Sequence, residues 1–483
     1  MPAPGRTTSS GRPILTQLAG LRAAASFWIL LRHFLGAPRA PGAWLIERAC
    51  VPTGSFILLS GFVTHYAYMG KRYETQTQVL RYYARRFGAI LFSYYASTML
   101  MLLFSILACR AHSCIGGTAA IGPAHAAVKT ALTFLMLQSF EPLMPSYPNG
   151  PAWTISTMGL LWLLYPKLQA WLRRPLQARP FALAAGAAIA CQLPMVLAFF
   201  AGCVAPGLGK PYFVSEAASL VGYHFPPLRL ADFVLGMALA QALADGRAAP
   251  ERRAWAWLAD GAAFAVWAVC ACVPWDARSE PFPTSGYEPL FIGGMQPLIG
   301  LFIFASSCPG GELSAWGAIF RHPVLQGLGE YSFQVYLWHW PIGLIFKGVE
   351  IAVAGNTGQG MAGSFFISYI LTTYVASAAV SGYAEEPFRK WLRARIDAWA
   401  ARQDALAAAA SKGDECVAGE GSAGGAGAAR VQEGGVELAG GAPPGDGALA
   451  LEEGTGAGAA ALLDPAAARS DSQAVGDVRT VQL

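Results

Sequence analysis

Long apolar segments alternate with shorter polar segments over residues 14–395 of the chain. A helix needs about 20 consecutive apolar residues to cross a bilayer, and many of these segments reach that length. Because a segment within the membrane must satisfy its own backbone hydrogen bonds, segments this long predict helices rather than barrel strands. The pattern predicts an all-α, polytopic membrane protein with ten spans, at residues 14–35, 51–69, 87–108, 151–171, 181–203, 228–245, 255–274, 289–307, 329–350 and 362–383.

The loops between these segments predict the orientation of the chain. Lysine and arginine are concentrated in the loops after the second, fourth, sixth, eighth and tenth spans. Basic residues are enriched in cytoplasmic loops, and all of these loops are cytoplasmic if both termini are. We therefore predict a short cytoplasmic N-terminus at residues 1–13, a transmembrane domain at residues 14–395 and a cytoplasmic C-terminus.

One apolar segment, residues 124–138, is too short to fit this scheme as a span. If it crossed the membrane, the basic cluster that includes Arg173 and Arg179 would move to the outer side, against the charge rule. We therefore interpret it as a re-entrant or outer-face helix.

Composition divides the chain into two unlike parts. Hydrophobic residues make up 54% of the chain and charged residues 13%, whereas soluble proteins carry about 25% charged residues. After residue 400 the sequence is rich in alanine and glycine and contains twelve acids but only five bases. Such a segment buries too little apolar surface to offset the entropy of ordering, so residues 400–483 are predicted to be a disordered acidic tail. The basic excess of the remainder follows from topology, so no nucleic-acid partner is predicted.

Arg22 and His33 lie inside the first apolar segment, where an ionisable side chain costs about 2.5–3.5 kcal/mol at the membrane centre and indicates a functional site. Eleven residues turn a helix through about 1100°, close to three full turns, so both side chains share one face, about 16 Å apart along the axis. Histidine is a suitable general base, and arginine binds anions through its planar fork. The alternative is that Arg22 extends to the membrane interface and His33 merely ends the helix. His339, within the ninth span, is either a third functional group or a structural hydrogen-bonding residue.

Two further polar clusters are candidates for the site. Trp153, Thr154 and Ser156 begin the fourth span, at the level of His33 in the predicted topology. Their hydroxyls either line a site or, for Thr154, cap the helix. Arg229 and Asp232 are three residues apart on one helix face, where they either pair with each other or contribute to a substrate pocket.

Seven segments, in this order, resemble motifs of the acyltransferase-3 family of integral membrane O-acyltransferases. They are LAGLRAAASFWILLRHF, GSFILLSGFVTHY, ARRFGAILFSYY, PAWTISTMGLLWLLYP, LRLADFVLGM, YSFQVYLWHWPI and GYAEEPFRKWL. The resemblance covers residues 14–395, and in the first motif Arg22 and His33 are in register with the family's Arg-x10-His pattern.

The resemblance implies transfer of an acyl group, commonly acetyl from acetyl-CoA, to a hydroxyl of a carbohydrate or lipid-linked acceptor. His33 would be the catalytic base and Arg22 would help to bind the donor, with no bound cofactor or metal. Binding residues would come from the other motifs, with candidates Arg86, Trp153, Ser156, Arg229 and His339. The expected partners are acyl-CoA, the acceptor and the lipid bilayer; the choice between plasma membrane and endomembrane is left open.

The sequence also departs from the family pattern. Met158 stands where the family has a glutamate, Ala89 where it has a second arginine, and Phe92 where it has a nearby proline. These departures leave open a catalytically inactive relative. Buried Arg and His residues also suit a proton-coupled transporter, which is the second alternative.

Overall fold

A computed structural model describes residues 13–35, 44–110, 123–141, 148–194, 196–197, 216–247, 252–273, 290–357 and 360–420. Helices account for the regular structure of these residues, which include no strand, and the predicted all-α class is confirmed for them. The longer helices are α1 (Gln17–Phe34), α2 (Trp44–Glu47), α3 (Cys50–Tyr68), α4 (Gln76–Phe87), α5 (Leu91–Arg110), α6 (Pro123–Phe134), α7 (Ala152–Trp171), α8 (Arg173–Ala178), α9 (Pro180–Ala190), α10 (Glu216–His224), α11 (Leu230–Ala244), α12 (Arg252–Cys272), α13 (Gln296–Ser307), α14 (Ala315–Phe320), α15 (Pro323–Glu330), α16 (Ser332–Ala354), α17 (Gly363–Val380) and α18 (Glu386–Glu420). Two π-helical segments, Leu290–Gly294 and Ser381–Glu385, precede α13 and α18.

Each of the ten segments predicted to cross the membrane contains a helix, and several of these helices are candidate spans. By length and apolarity alone, four helical stretches of the described residues qualify: Pro226–Ala244, Arg253–Cys272, Leu290–Ser307 and Gly363–Leu406. Helices α4 and α5 form a fifth if they are counted together across their 49° bend. Helix α1 is not among these candidate spans, because its polar side chains lower its mean hydropathy. The count of ten spans and the cytoplasmic termini therefore stay predictions.

Helix α3 packs directly against α11 through two glycines. A Cβ atom at Gly61 would lie 2.1 Å from the carbonyl oxygen of Phe233, and one at Gly236 would lie 2.1 Å from that of Leu58. Small residues let two helix backbones approach this closely in a membrane protein, where packing rather than water exclusion drives association. This pair forms the centre of the main apolar core.

Helix α1 is held in the same way against the segment that precedes α16. A Cβ atom at Gly20 would lie 2.0 Å from the carbonyl oxygen of Phe320, and one at Gly329 would lie 2.0 Å from that of Ala19. Both contacts join the first half of α1 to α14 and α15. The close approach brings the Arg22 face of α1 against the residues that lead into α16.

Helix α6 has only twelve residues and is followed by a turn that binds the start of α7. Gln138 Nε2 donates to the Ala152 carbonyl at 2.9 Å, and Ser139 Oγ donates to the Trp153 carbonyl at 2.6 Å. Met136 in this turn has a positive φ of 57°. The segment is thus a short helix whose following turn bonds to the start of α7, and its interpretation as a re-entrant or outer-face helix stays a prediction.

The C-terminal part of the chain differs from the predicted tail at its beginning. One compact unit includes the described residues up to Ala401, and a second unit begins at Arg402. Helix α18 continues to Glu420, although the tail was predicted to be disordered from residue 400. Alanine has the highest helix propensity, and the alanine-rich run after Ala401 extends the helix. Residues 421–483 lie outside the described part of the chain.

Candidate active site

His33 and His339 are brought together although 306 residues separate them in the sequence. His33 lies in the last turn of α1, and His339 lies in the first half of α16. Nδ1 of His33 is 2.9 Å from Nε2 of His339, and their rings stack with centroids 5.1 Å apart. His339 is buried, with 1% of its surface exposed, whereas His33 is half-buried.

The hydrogen bonds of His339 determine which nitrogen atoms carry protons. Its Nδ1 lies 2.8 Å from the carbonyl oxygen of Tyr336, which only accepts, so Nδ1 is the protonated nitrogen. Nε2 of the neutral ring is then an acceptor, and the proton between the two rings belongs to Nδ1 of His33. The neutral His33 ring therefore has its lone pair on Nε2, and none of the described residues donates to that atom. This arrangement makes Nε2 of His33 available to accept a proton.

The surroundings of His33 are aromatic on one side and charged on the other. The ring of Trp340 meets the His33 ring edge-on, with centroids 5.0 Å apart. The neighbouring Arg32 forms an ion pair with Glu47 at 2.5 Å. Burial raises the pKa of Glu47 above its usual value, and Arg32 opposes this rise. The pair neutralises the positive charge next to His33.

Arg22 lies on the same side of α1 as His33. Its Nη2 is 3.5 Å from the carbonyl oxygen of Gly329, and Glu330 is close enough to interact with it electrostatically. Gly329 precedes His339 by ten residues, so Arg22 and His33 meet the same continuous segment, α15 followed by α16. Arg22 therefore lies between the start of α1 and the histidine pair.

The start of α7 is linked to this site through one residue of the predicted cluster. Thr154 Oγ1 lies 2.5 Å from the hydroxyl of Tyr336, one turn before His339. The other two members have different contacts. Trp153 packs against the rings of Tyr223 and His224, and Ser156 Oγ donates to the Met136 carbonyl at 2.6 Å.

Arg229, a predicted binding residue, lies in a buried ion pair. Its side chain has no exposed surface, and its Nη2 lies 2.8 Å from Oδ2 of Asp232. Its Nη1 donates to the carbonyl oxygen of Ile292 at 2.8 Å. The structure thus shows the ion pair between Arg229 and Asp232, as one of the two interpretations of their spacing had it.

Arg86, by contrast, is a buried cation that pairs with no carboxylate of the described residues. Only 4% of its surface is exposed, and its guanidinium lies over the rings of Tyr68, at 5.1 Å, and Trp162, at 5.8 Å. Its Nε and Nη2 have no hydrogen-bond partner among the described residues. Arg86 lies near the end of α3, and Tyr66 in the last turn of α3 donates to the Pro13 carbonyl just before α1. It therefore lies near the end of α1 opposite to His33.

Tyr336 and Trp340 are parts of the site that the sequence motifs did not single out. They lie three residues before and one residue after His339 on the same helix. Their position within a run of aromatic residues is typical of membrane helices in general. Only the contacts with Thr154 and His33 distinguish these two side chains from the others.

Comparison with known proteins identifies the family of the chain. The family model for the acyltransferase domain of the acyltransferase-3 family matches residues 15–381. The chain belongs to this family. It is also 24% identical over 395 residues to the acyltransferase MdmB of Streptomyces mycarofaciens, a match that covers 79% of this chain and 93% of that protein. No solved structure matches the chain significantly. The protein is therefore a membrane acyltransferase that transfers groups other than amino-acyl groups.

The departures from the family's motifs lie in apolar surroundings. Met158 is 3% exposed and belongs to the main apolar core, against which Ala89 also packs. The ring of Phe92 packs against Phe388, with centroids 6.3 Å apart. Each of the three replacements therefore packs against apolar or aromatic neighbours.

Proposed function

We propose that this acyltransferase moves an acyl group, acetyl being the expected case, from acyl-CoA to a hydroxyl of a carbohydrate or lipid-linked acceptor. The observation that carries the proposal is the contact between Nδ1 of His33 and Nε2 of His339. It orients a histidine whose Nε2 is ready to take a proton from a hydroxyl. Family membership favours this reaction over the hypothesis of a proton-coupled transporter.

His33 acts as the general base in the proposed reaction. The acceptor hydroxyl gives its proton to Nε2 of His33 as its oxygen bonds to the thioester carbonyl carbon. The Nδ1–H of the resulting imidazolium donates to His339, which stabilises the positive charge. The tetrahedral intermediate then loses its carbon–sulfur bond, and His33 returns the proton to the departing thiolate. The products are the acyl ester and free CoA.

The donor reaches this site from the cytoplasmic side in the proposed ten-span topology. Arg22 and Arg86 provide positive charge along that route, and CoA is a polyanion. Arginine is suited to this role because its fork binds phosphate or carboxylate through two hydrogen bonds. The acceptor approaches from the opposite side, where His33 lies.

Met158 does not by itself argue for an inactive relative. A carboxylate beside a catalytic histidine usually fixes its tautomer and orientation. Here His339 supplies that contact, so we infer that a glutamate at position 158 is not needed to orient His33.

The test is an acyl-transfer assay with the purified chain in detergent. We expect free thiol to be released from acetyl-CoA only when an acceptor is present. His33→Ala should lower the rate by about 10²–10⁴-fold, the usual contribution of a general base. The matched control is His125→Ala, because His125 is a half-exposed histidine whose Nε2 lies 3.9 Å from Glu141, outside the candidate site. Normal transfer by His33→Ala would contradict the assignment. Mass spectrometry of glycans and lipids from cells with and without the protein would identify the acceptor.

A further inference from the structure

The proposed base lies in the last turn of a helix, where a helix is least stable. Helix α1 ends at Phe34, one residue after His33. The last four carbonyl groups of a helix have no partner within it, and helix ends open more readily than the middle. A base that must keep one orientation therefore needs contacts that hold this turn from outside the helix.

Phe34 provides these contacts. Its carbonyl oxygen accepts a hydrogen bond of 2.9 Å from the backbone N–H of Met361, in the segment before α17. Its ring lies against Gly343 of α16, where a Cβ atom would collide with the ring. The ring also contacts Tyr369 of α17, with centroids 5.1 Å apart. The end of α1 is thus held against both α16 and α17, and Gly343 lies one turn beyond His339.

A buried carboxylate organises the segment that reaches Phe34. Glu350 has no exposed surface and lies eleven residues after His339 on α16. Eleven residues come to about three full turns, so Glu350 is on the same face of α16 as His339, about 16 Å further along the axis. A buried charge is costly unless it is paired and hydrogen-bonded, so this carboxylate requires partners.

The partners of Glu350 lie on α16 and in the connection between α16 and α17. Its Oε1 accepts hydrogen bonds from Asn356 Nδ2 at 2.8 Å and from the backbone N–H of Ala362. Its Oε2 accepts from Lys347 Nζ at 2.9 Å. Both carboxylate oxygens are therefore occupied, and one side chain ties the connection to α16.

The same network places the donor that caps α1. Lys347 Nζ also donates to the carbonyl oxygen of Gly360 at 2.7 Å, and Asn356 Nδ2 donates to the same oxygen at 3.2 Å. Gly360 and Ala362 are the two neighbours of Met361, and both are bound within this network. The N–H of Met361 is therefore held from both sides where it meets the last turn of α1.

We propose that Glu350 is a positioning residue that holds His33 in place through the segment before α17. The proposal rests on the proposed function, because it takes His33 as the base. Displacing a reacting group by about 1 Å can lower a rate by about 10²-fold. A side chain that fixes the last turn of α1 therefore acts on the chemistry without touching the substrate.

The first test measures transfer by the full-length protein, with acetyl-CoA as the donor and a glycan and lipid extract as the source of acceptor. Glu350→Ala should lower kcat by about 10- to 100-fold and leave the KM for acetyl-CoA and for the extract unchanged. Glu350→Gln keeps one acceptor oxygen and should recover part of the rate. The matched control is Asp260→Ala, because Asp260 in the same way accepts from Ser314 Oγ and from two backbone N–H groups at the start of α14. It should lower the melting temperature and leave kcat unchanged.

Hydrogen exchange of backbone amides measures the same effect without any substrate. Glu350→Ala should speed exchange in the last turn of α1 by about tenfold, because the turn opens more often. Asp260→Ala should not change exchange in this turn.

A single bond tests the route between Glu350 and α1. Met361→Pro removes the N–H that meets Phe34, so it should lower kcat and speed exchange in the last turn of α1, both to a smaller extent than Glu350→Ala. Gly363→Pro is its control, because Gly363 is exposed at the first position of α17, where proline is tolerated. It should leave both measurements unchanged.

The outcomes separate this proposal from the proposed function. A normal kcat or unchanged exchange in Glu350→Ala would overturn the positioning role alone. A higher KM for the extract with a normal kcat would assign the connection to acceptor binding and overturn it as well. An equal loss of kcat in Asp260→Ala would make the effect one of general stability, which also overturns it. Faster exchange in Glu350→Ala, without transfer by the wild type, would support the hold on α1 and contradict the proposed reaction.

Discussion

The two ends of α1 have opposite polar chemistry. At the His33 end, the polar groups are paired with one another: His33 with His339, Arg32 with Glu47, and Thr154 with Tyr336. At the other end, Nε and Nη2 of Arg86 and the hydroxyls of Tyr73 and Tyr82 have no hydrogen-bond partner among the residues that the structure describes. A paired network holds a base in one orientation, as proton transfer requires. Buried donors without a protein partner require another one, such as an ordered water, an ion or a ligand.

The variant with the largest expected effect distinguishes the roles of the two ends of α1. His33→Ala should abolish nearly all transfer, by about 10²–10⁴-fold, and yet leave the dissociation constant for CoA within about twofold of wild type, because the base acts on the acceptor. Calorimetric titration of the variant with CoA measures this. Loss of both CoA binding and transfer in this variant would show that the two ends of α1 do not have separate roles.

His339 tests the pairing at the His33 end. His339→Ala should lower kcat by about 10- to 100-fold, the usual effect of removing a residue that orients a functional histidine. His339→Gln should recover much of the rate, because the amide oxygen can accept from Nδ1 of His33. The KM for acyl-CoA should not change in either variant. A rise in KM with unchanged kcat would instead make His339 a donor-binding residue.

Arg86 tests the unpaired end. Arg86→Met should raise the KM for acyl-CoA by about tenfold through loss of a charged hydrogen bond. It should leave the melting temperature unchanged or higher, because an apolar side chain replaces an unpaired buried charge. Arg86→Lys keeps the charge but not the planar fork, so its KM for acyl-CoA should lie between those of the wild type and Arg86→Met. A lower melting temperature with a normal KM would show that Arg86 supports the fold rather than the donor.

The smallest expected effect concerns the link from α7. Tyr336→Phe should reduce kcat by about fivefold, equivalent to one hydrogen bond of about 1 kcal/mol. Thr154→Val should have a similar effect, and the double variant should be no worse than either single variant, because both changes remove the same contact. Additive losses in the three rate measurements would show that Thr154 and Tyr336 act independently.

The local pattern of apolar residues predicted the helices well, because helix formation depends on neighbouring residues. The helices observed at the ten predicted segments follow from apolar stretches whose backbone groups bond within the segment. The short helix α6 followed from its length and from the charge of the flanking loops. Helix α18 continues to Glu420 through an alanine-rich run, where the composition had predicted disorder from residue 400.

The candidate site was predictable only in part. Helical periodicity predicts that Arg22 and His33 share one face of α1, because residues eleven positions apart are separated by about three full turns. The spacing of Arg229 and Asp232 indicated their pairing as one of two interpretations, whereas the environment of Arg86 was not visible in the sequence, because its neighbours come from distant helices. One has a carboxylate three residues away and a carbonyl from a distant helix, whereas the other lies among tyrosine rings.

The sequence by itself determined that this is a helical membrane protein of the acyltransferase-3 type, with Arg22 and His33 on one face of its first long helix. Only the tertiary structure decided that His33 meets His339, that Ser156 holds a turn, and that the N–H of Met361 caps the end of α1. The physical reason is the range of the interactions. Helix formation and sidedness depend on residues within a few turns, whereas the partner of a buried polar group depends on how distant helices pack.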